Sequence, residues 1–193
     1  EQYLTLETGA VANYIPELGN ADPSWFGICL VTAGGHVYEV GDSDRPFTIQ
    51  SISKPFVLGM ALEDRGREAV LARIGVEPSG NPFNAIVVDE ASNRPFNPMV
   101  NSGAIVATGL IMGDDIPDRR ARLQNAFARY VGHEVAVDQA VLESERLTGD
   151  RNRAIGSLSR GLRRPHRGRE QTHHLPFHPS PLLVHRPHLS NIA

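Results

Sequence analysis

The segment Gln50-Ser51-Ile52-Ser53-Lys54-Pro55 and the apolar run behind it constrain the fold of this chain more tightly than anything else in it. From about Ile52 to Asp64 the residues are apolar on most sides, with Phe56, Val57, Leu58, Met60, Ala61 and Leu62, and that pattern predicts a buried helix. Pro55 fits such a helix only in its first turn, where a missing N–H is not needed. Ser51 to Lys54 are thereby placed at the helix N-terminus, and Arg65-Gly66 at its end.

The same segment contains S-x-x-K, whose i to i+3 spacing puts a hydroxyl and an amine on one helical face. Serine needs a base to become a nucleophile. A lysine serves once burial and a helix N-terminus disfavour its charged form, and the same helix end offers N–H groups to an oxyanion. No acidic residue lies between Gln50 and Glu63 to hold Lys54 charged locally. Lys54 is also the single lysine among 19 basic residues, at a position where a guanidinium could not deprotonate. The competing reading is a helix cap followed by a surface lysine.

Around this helix the chain alternates short strands and helices. Gly27 to Thr32, a Gly34-Gly35 turn and the alternating His36 to Val40 predict a hairpin with a half-buried second strand. Pro46 to Gln50 leads, extended, into Ser51. Further helices are expected from about Asn101 to Met112, from Arg119 to Tyr130, and from Gln139 to Thr148 with Asp138 as N-cap and Gly149 as stop. No stretch reaches the roughly 18 consecutive apolar residues of a membrane helix, so a soluble, cytoplasmic protein is expected. One cysteine, Cys29, excludes an intrachain disulfide, and it reads as a small buried hydrophobe within a strand.

Charge divides the chain into an acidic body, residues 1–152 at −9, and a basic tail, residues 153–193 at +6. The tail holds six of the eight histidines and has no amphipathic period, so no packed structure is expected there. His173, His174 and His178 lack a neighbouring carboxylate or cysteine, and no metal site is expected from them. The tail arginines come without interleaved aromatics, which predicts no specific nucleic-acid binding.

Four other positions carry two readings each. Asn101 either caps the helix it opens or presents an amide to a polar substrate, with small Ser102, Gly103 and Ala104 allowing close approach. Glu145 and Asn152 flank Thr148-Gly149-Asp150-Arg151. Glu145 pairs with Arg151 on the surface and Asn152 caps the next segment of chain, or the two converge on a ligand's ammonium and carboxylate groups. Tyr14, in Val11-Ala12-Asn13-Tyr14-Ile15-Pro16, is core or leans over a pocket.

Four blocks together resemble the serine-dependent glutaminases, a family that shares the fold of β-lactamases and penicillin-binding proteins. They are Val11 to Leu18 with Trp25-Phe26-Gly27, Gln50 to Pro55, Asn97 to Ile105, and Glu143 to Arg146 with Gly149 to Asn152. β-Lactamases in general share S-x-x-K alone, which leaves a β-lactam-binding acyl-enzyme as the weakest alternative. The resemblance implies an α+β, β-lactamase-like fold, an antiparallel sheet with a helical region. It implies hydrolysis of L-glutamine to L-glutamate and ammonia, with Ser51 as nucleophile and Lys54 as base. Gln50 and Tyr14 match pocket-lining positions, and Asn101, Glu145 and Asn152 match those holding the substrate's α-amino and α-carboxylate groups. It implies no metal or organic cofactor, assembly as a homodimer or homotetramer, and phosphate activation in some members.

The likeness ends near Asn152. Family members continue with returning strands, two pocket tyrosines and a Lys-Ser-Gly block, whereas here no tyrosine follows Tyr130 and no lysine follows Lys54. The expectation is therefore the N-terminal part of a glutaminase domain over 1–152, followed over 153–193 by an unrelated or frame-shifted tail. A chain of this kind is either an enzyme or a non-catalytic remnant that aggregates or co-assembles with an intact glutaminase.

Overall fold

In the computed structural model, which describes residues 8–82, 84–85, 88–89, 91–92, 94–150, 152–155 and 182–184, the apolar run behind Ser51 forms the central helix. This helix, α1, spans Ser53–Leu71 and buries Lys54, Val57, Met60 and Ala61. At Gly66 the backbone turns to φ 76° and ψ 160°, so the first stretch stops where the sequence places its end and a second stretch continues to Leu71. A Cβ would resist that left-handed φ, and the break falls on the residue that lacks one.

Three further helices come after it, α2 (Asn101–Leu110), α3 (Ile116–Val131) and α4 (Gln139–Thr148). Asp138 caps α4 as expected, its side chain accepting from Val141 N, while α3 begins earlier than expected because Asp115 caps it by accepting from Asp118 N. α1 packs against α2 and α3. Val57 and Ala61 of α1, Ala107 of α2 and Leu123 and Phe127 of α3 are each at most 4% exposed. Burying a side chain of the size of Val57 or Leu123 contributes about 1.5–3 kcal/mol. Phe56 adds an edge contact to Phe127, with ring centroids 5.7 Å apart.

A paired charge ties α1 to α3. Arg122 donates through Nη2 to Asp64 Oδ1 at 2.6 Å and through Nη1 to Oδ2 at 2.9 Å, and Met112 N donates to the same Oδ2 at 2.7 Å. The Arg122 hydrogen bonds, more than offsetting burial, hold the Asp64 carboxyl below the ordinary 3.8. A carboxylate depressed in the folded state stabilises fully above its unfolded pKa and loses that contribution as pH falls through the lower folded value. Asp64→Ala is expected to cost about 1–3 kcal/mol at neutral pH. In urea unfolding the gap to the parent should close as pH drops below 3.8, whereas a gap constant with pH would contradict this role.

The expected hairpin is present as β1 (Gly27–Val31) and β2 (Val37–Gly41), antiparallel, with Gly35 at φ 81° in the turn. Two expectations fail there. The second strand is not half-buried, since Tyr38 and Val40 are 60% and 57% exposed, and Cys29 is exposed and not a core residue. The alternation is real, but the layer it would pack against does not lie among the described residues. A second sheet has the order β3-β5-β4, all antiparallel, with β3 at Phe47–Thr48, β4 at Ala136–Val137 and β5 at Leu182–Val184. β5 falls within the basic tail, where composition predicts no ordered element. Its three residues are the tail's one consecutive apolar triplet ending in a β-branched residue, and that suffices for a short ladder.

Candidate active site

Lys54 is 4% exposed, the second residue of α1 and against the start of α2. Its Nζ donates to Met99 O and to Asn101 Oδ1, both at 2.8 Å. Burial pushes its pKa below the ordinary 10.5. The reading of Lys54 as a surface lysine is thus set aside by the structure. Both of these acceptors are neutral carbonyl oxygens.

Ser51 lies in the single 3-10 turn Gln50–Ile52 that enters α1, and it is exposed. The turn is braced from both sides. Gln50 Nε2 donates to Thr48 Oγ1 at 3.1 Å, and the fully buried Ser53 donates through Oγ to Gln50 O at 2.7 Å. Gln50 itself has φ 42°, the one positive φ outside glycine among the described residues, a conformation that costs about 1 kcal/mol or more and persists only where neighbours hold it. The strained backbone at Gln50 thus directly precedes an exposed serine at the start of α1.

Asn101 is not the cap of α2. Val100 occupies that position with no side-chain cap bond, and Asn97 braces the turn before the helix by accepting at Oδ1 from Met99 N and Val100 N. Asn101 is instead the first helical residue, and its Oδ1 accepts from Lys54. The close approach expected at Ser102-Gly103-Ala104 is real, because a Cβ on Gly103 would lie 1.9 Å from Asn97 O.

The remaining candidates form a second pair of blocks. α4 packs on the 3-10 turn Pro16–Asn20, and Glu17 N donates to Ser144 Oγ at 3.1 Å. This joins the Tyr14 segment to the residue preceding Glu145. Tyr14 is 64% exposed and so is not core, although Ile15 beside it is buried. Glu145 and Asn152 are half-buried, Asn152 opening the helical stretch 152–155. Arg151, the surface partner considered for Glu145, lies outside the described residues, as do the tail histidines His173, His174 and His178. Among the described residues no group of three metal-ligating side chains occurs. Sequence reasoning missed the Met99 carbonyl, which has no residue-type signal, and Thr48 and Ser53, whose hydroxyls were legible as turn-forming groups.

The titration of Lys54 is open to direct measurement because it is the chain's only lysine. In ¹⁵N-lysine-labelled protein its Nζ should give one resonance with a midpoint below 10.5. Asn101→Asp, which sets a carboxylate where Oδ1 now lies 2.8 Å from Nζ, should raise that midpoint. Between the folded value and 10.5 the unfolded chain binds more protons, so stability should also rise with pH across that window. A parent midpoint at or above 10.5 would contradict the burial-driven shift.

Comparison with known proteins gives a consistent answer. The chain matches the glutaminase family over residues 9–191, a span that includes β5 and most of the tail. It is 56% identical to a glutaminase of Nostoc sp. over 157 residues, covering 81% of this chain and 47% of that protein. It is 59% identical to glutaminase 1 of Bradyrhizobium diazoefficiens over 151 residues, covering 78% of this chain and 24% of that protein. Among solved structures it superposes on the probable glutaminase ybaS with TM-score 0.77 at 38% identity, covering 83% of this chain and 52% of the other. It superposes on Mglu in its tris and glutamate form with TM-score 0.81 at 33% identity, covering 95% and 41%. The chain thus spans about half the length, or less, of the relatives it matches.

Proposed function

The chain belongs to the glutaminase family, with its β-lactamase-like α+β fold, and from that premise we propose that it carries the nucleophile and base of a glutamine amidohydrolase. The observation that carries this reading is the buried Lys54, held by Met99 O and Asn101 Oδ1 one helical turn after the exposed Ser51.

Ser51 Oγ attacks the side-chain carboxamide carbon of L-glutamine while neutral Lys54 takes the hydroxyl proton. The tetrahedral oxyanion is met by N–H groups at the start of α1. Collapse breaks the C–N bond, Lys54 returns its proton to the leaving nitrogen, and ammonia departs from a glutamyl ester on Ser51. Water, deprotonated by the same amine, then hydrolyses the ester to L-glutamate. Asn101 through its NH₂ group, Glu145 and Asn152 hold the α-carboxylate and α-ammonium groups of the substrate, and Tyr14 and Gln50 line the pocket. The glutamate form of the neighbour Mglu supports the choice of an amino-acid ligand with a five-carbon diacid skeleton.

Homodimeric or homotetrameric assembly and a cytoplasmic location belong to the same proposal. No described helix is long and apolar enough to cross a membrane. Glutamine-dependent ammonia release that disappears in Ser51→Ala tests the reading, and release unchanged in that variant would overturn it.

A second reading rests on the 47% coverage of the Nostoc relative and on the exposed hairpin. Here the chain is a non-catalytic part that needs further polypeptide to work. Folded protein that releases no ammonia alone supports this second reading.

A further inference from the structure

A cavity of about 420 Å³ opens along α1. Leu58, Leu62 and Val70 of the helix, Ile74 just beyond its end, and Pro98 line it, so residues from both sides of the Gly66 break contribute. The sequence explains why it exists: a helix apolar on most sides carries more apolar surface than α2 and α3 cover. Arg67, the residue after the break, is the one charged side chain on the lining, and no described residue pairs with it. Small-molecule sites have this character, with volumes of roughly 300–1,000 Å³, apolar walls and few polar groups. The cavity also borders Lys54 on two sides. Leu58 lies one helical turn along α1 from Lys54, and Pro98 precedes Met99, whose carbonyl accepts from Lys54 Nζ at 2.8 Å.

We propose that this cavity binds a medium-chain alkyl monocarboxylate, its hydrocarbon chain between α1 and Pro98 and its carboxylate on the Arg67 guanidinium, and that occupancy is felt at Lys54 through Met99. The apolar walls select the hydrocarbon. A guanidinium receives a carboxylate through two parallel N–H bonds, which selects the headgroup. A second carboxylate would meet no cation on the lining, so glutamate, which also lacks an apolar chain, is not a ligand here. The inference goes beyond glutamine hydrolysis and does not depend on Ser51.

Equilibrium dialysis of the chain against ¹⁴C-labelled butanoate, hexanoate and octanoate tests it, with 1-octanol as the uncharged comparison. The expected result is one site per chain whose affinity rises roughly fourfold with each added methylene. Arg67→Gln should weaken octanoate about fivefold and leave 1-octanol unchanged, because only the charge pair is lost. Leu62→Trp, which fills the cavity, should abolish binding of both. In ¹⁵N-lysine-labelled protein, octanoate should move the single Lys54 resonance, and by the same amount in Ser51→Ala. No binding across the series, or octanoate bound equally by the parent, Arg67→Gln and Leu62→Trp, would overturn the proposal. Equal losses of octanoate and 1-octanol in Arg67→Gln would overturn the carboxylate assignment, and a Lys54 resonance that stays in place while octanoate binds would overturn the link to Lys54. Arg67 is exposed, so Arg67→Gln decides the matter if Leu62→Trp fails to fold. Binding is read directly, so absence of ammonia release would count against the Ser51 chemistry and leave this site standing.

Discussion

Lys54→Arg is expected to leave the helix content of the chain unchanged and to lower glutamine hydrolysis roughly 10²–10⁴-fold, the loss that accompanies removal of a general acid–base group. Both side chains are cations with long apolar stems, but the guanidinium does not deprotonate in proteins and so cannot accept the Ser51 proton. The loss should not be recovered at high pH, whereas the parent rate should climb with pH through the depressed pKa of Lys54, below 10.5. Circular dichroism on the same sample checks that the fold survives. Retention of most of the activity in Lys54→Arg would remove Lys54 from the mechanism.

Among the described glycines outside the left-handed turns, Gly103→Ala should be the most destabilising substitution. The added Cβ would lie 1.9 Å from Asn97 O and 2.8 Å from Asn97 C, both backbone atoms that cannot rotate away. Overpacking of this kind costs about 1–3 kcal/mol and more where the backbone must move. The movement would also displace the turn that Asn97 braces and that supplies Met99 O as a partner of Lys54. Gly59→Ala is the matched control, in α1 with nothing within 4 Å of its Cβ, and there alanine should be neutral or stabilising by about 1 kcal/mol. Chemical denaturation of the two variants should therefore move in opposite directions, and equal midpoints would show that the α2 contact is looser than its geometry indicates.

Much of the site was legible because its logic is local. Pro55 restricts where α1 can start, and that restriction alone placed Ser51 and Lys54 at a helix N-terminus. Asp138 and Gly149 bracket α4 through side-chain and backbone preferences that act within a few residues. The interactions that escaped were those set by distant chain segments. Asn101 had the composition of a cap, yet Val100 holds that position and Asn101, one residue into the helix, accepts from Lys54, 47 positions away. The hairpin's alternation identified the strands but not the layer they face. In the tail, composition averaged over 41 residues concealed the Leu182–Val184 triplet, whose pairing with β3 and β4 depends on partners far upstream.

Trapping the acyl intermediate tests the account most directly. Protein mixed with L-glutamine, together with the unmatched part of the Nostoc relative if the chain needs it, is quenched in acid and mapped by peptide mass. The account predicts a glutamyl ester on Ser51, absent from Ser51→Ala. An ester on another residue, or ammonia release that persists in Ser51→Ala, would contradict it.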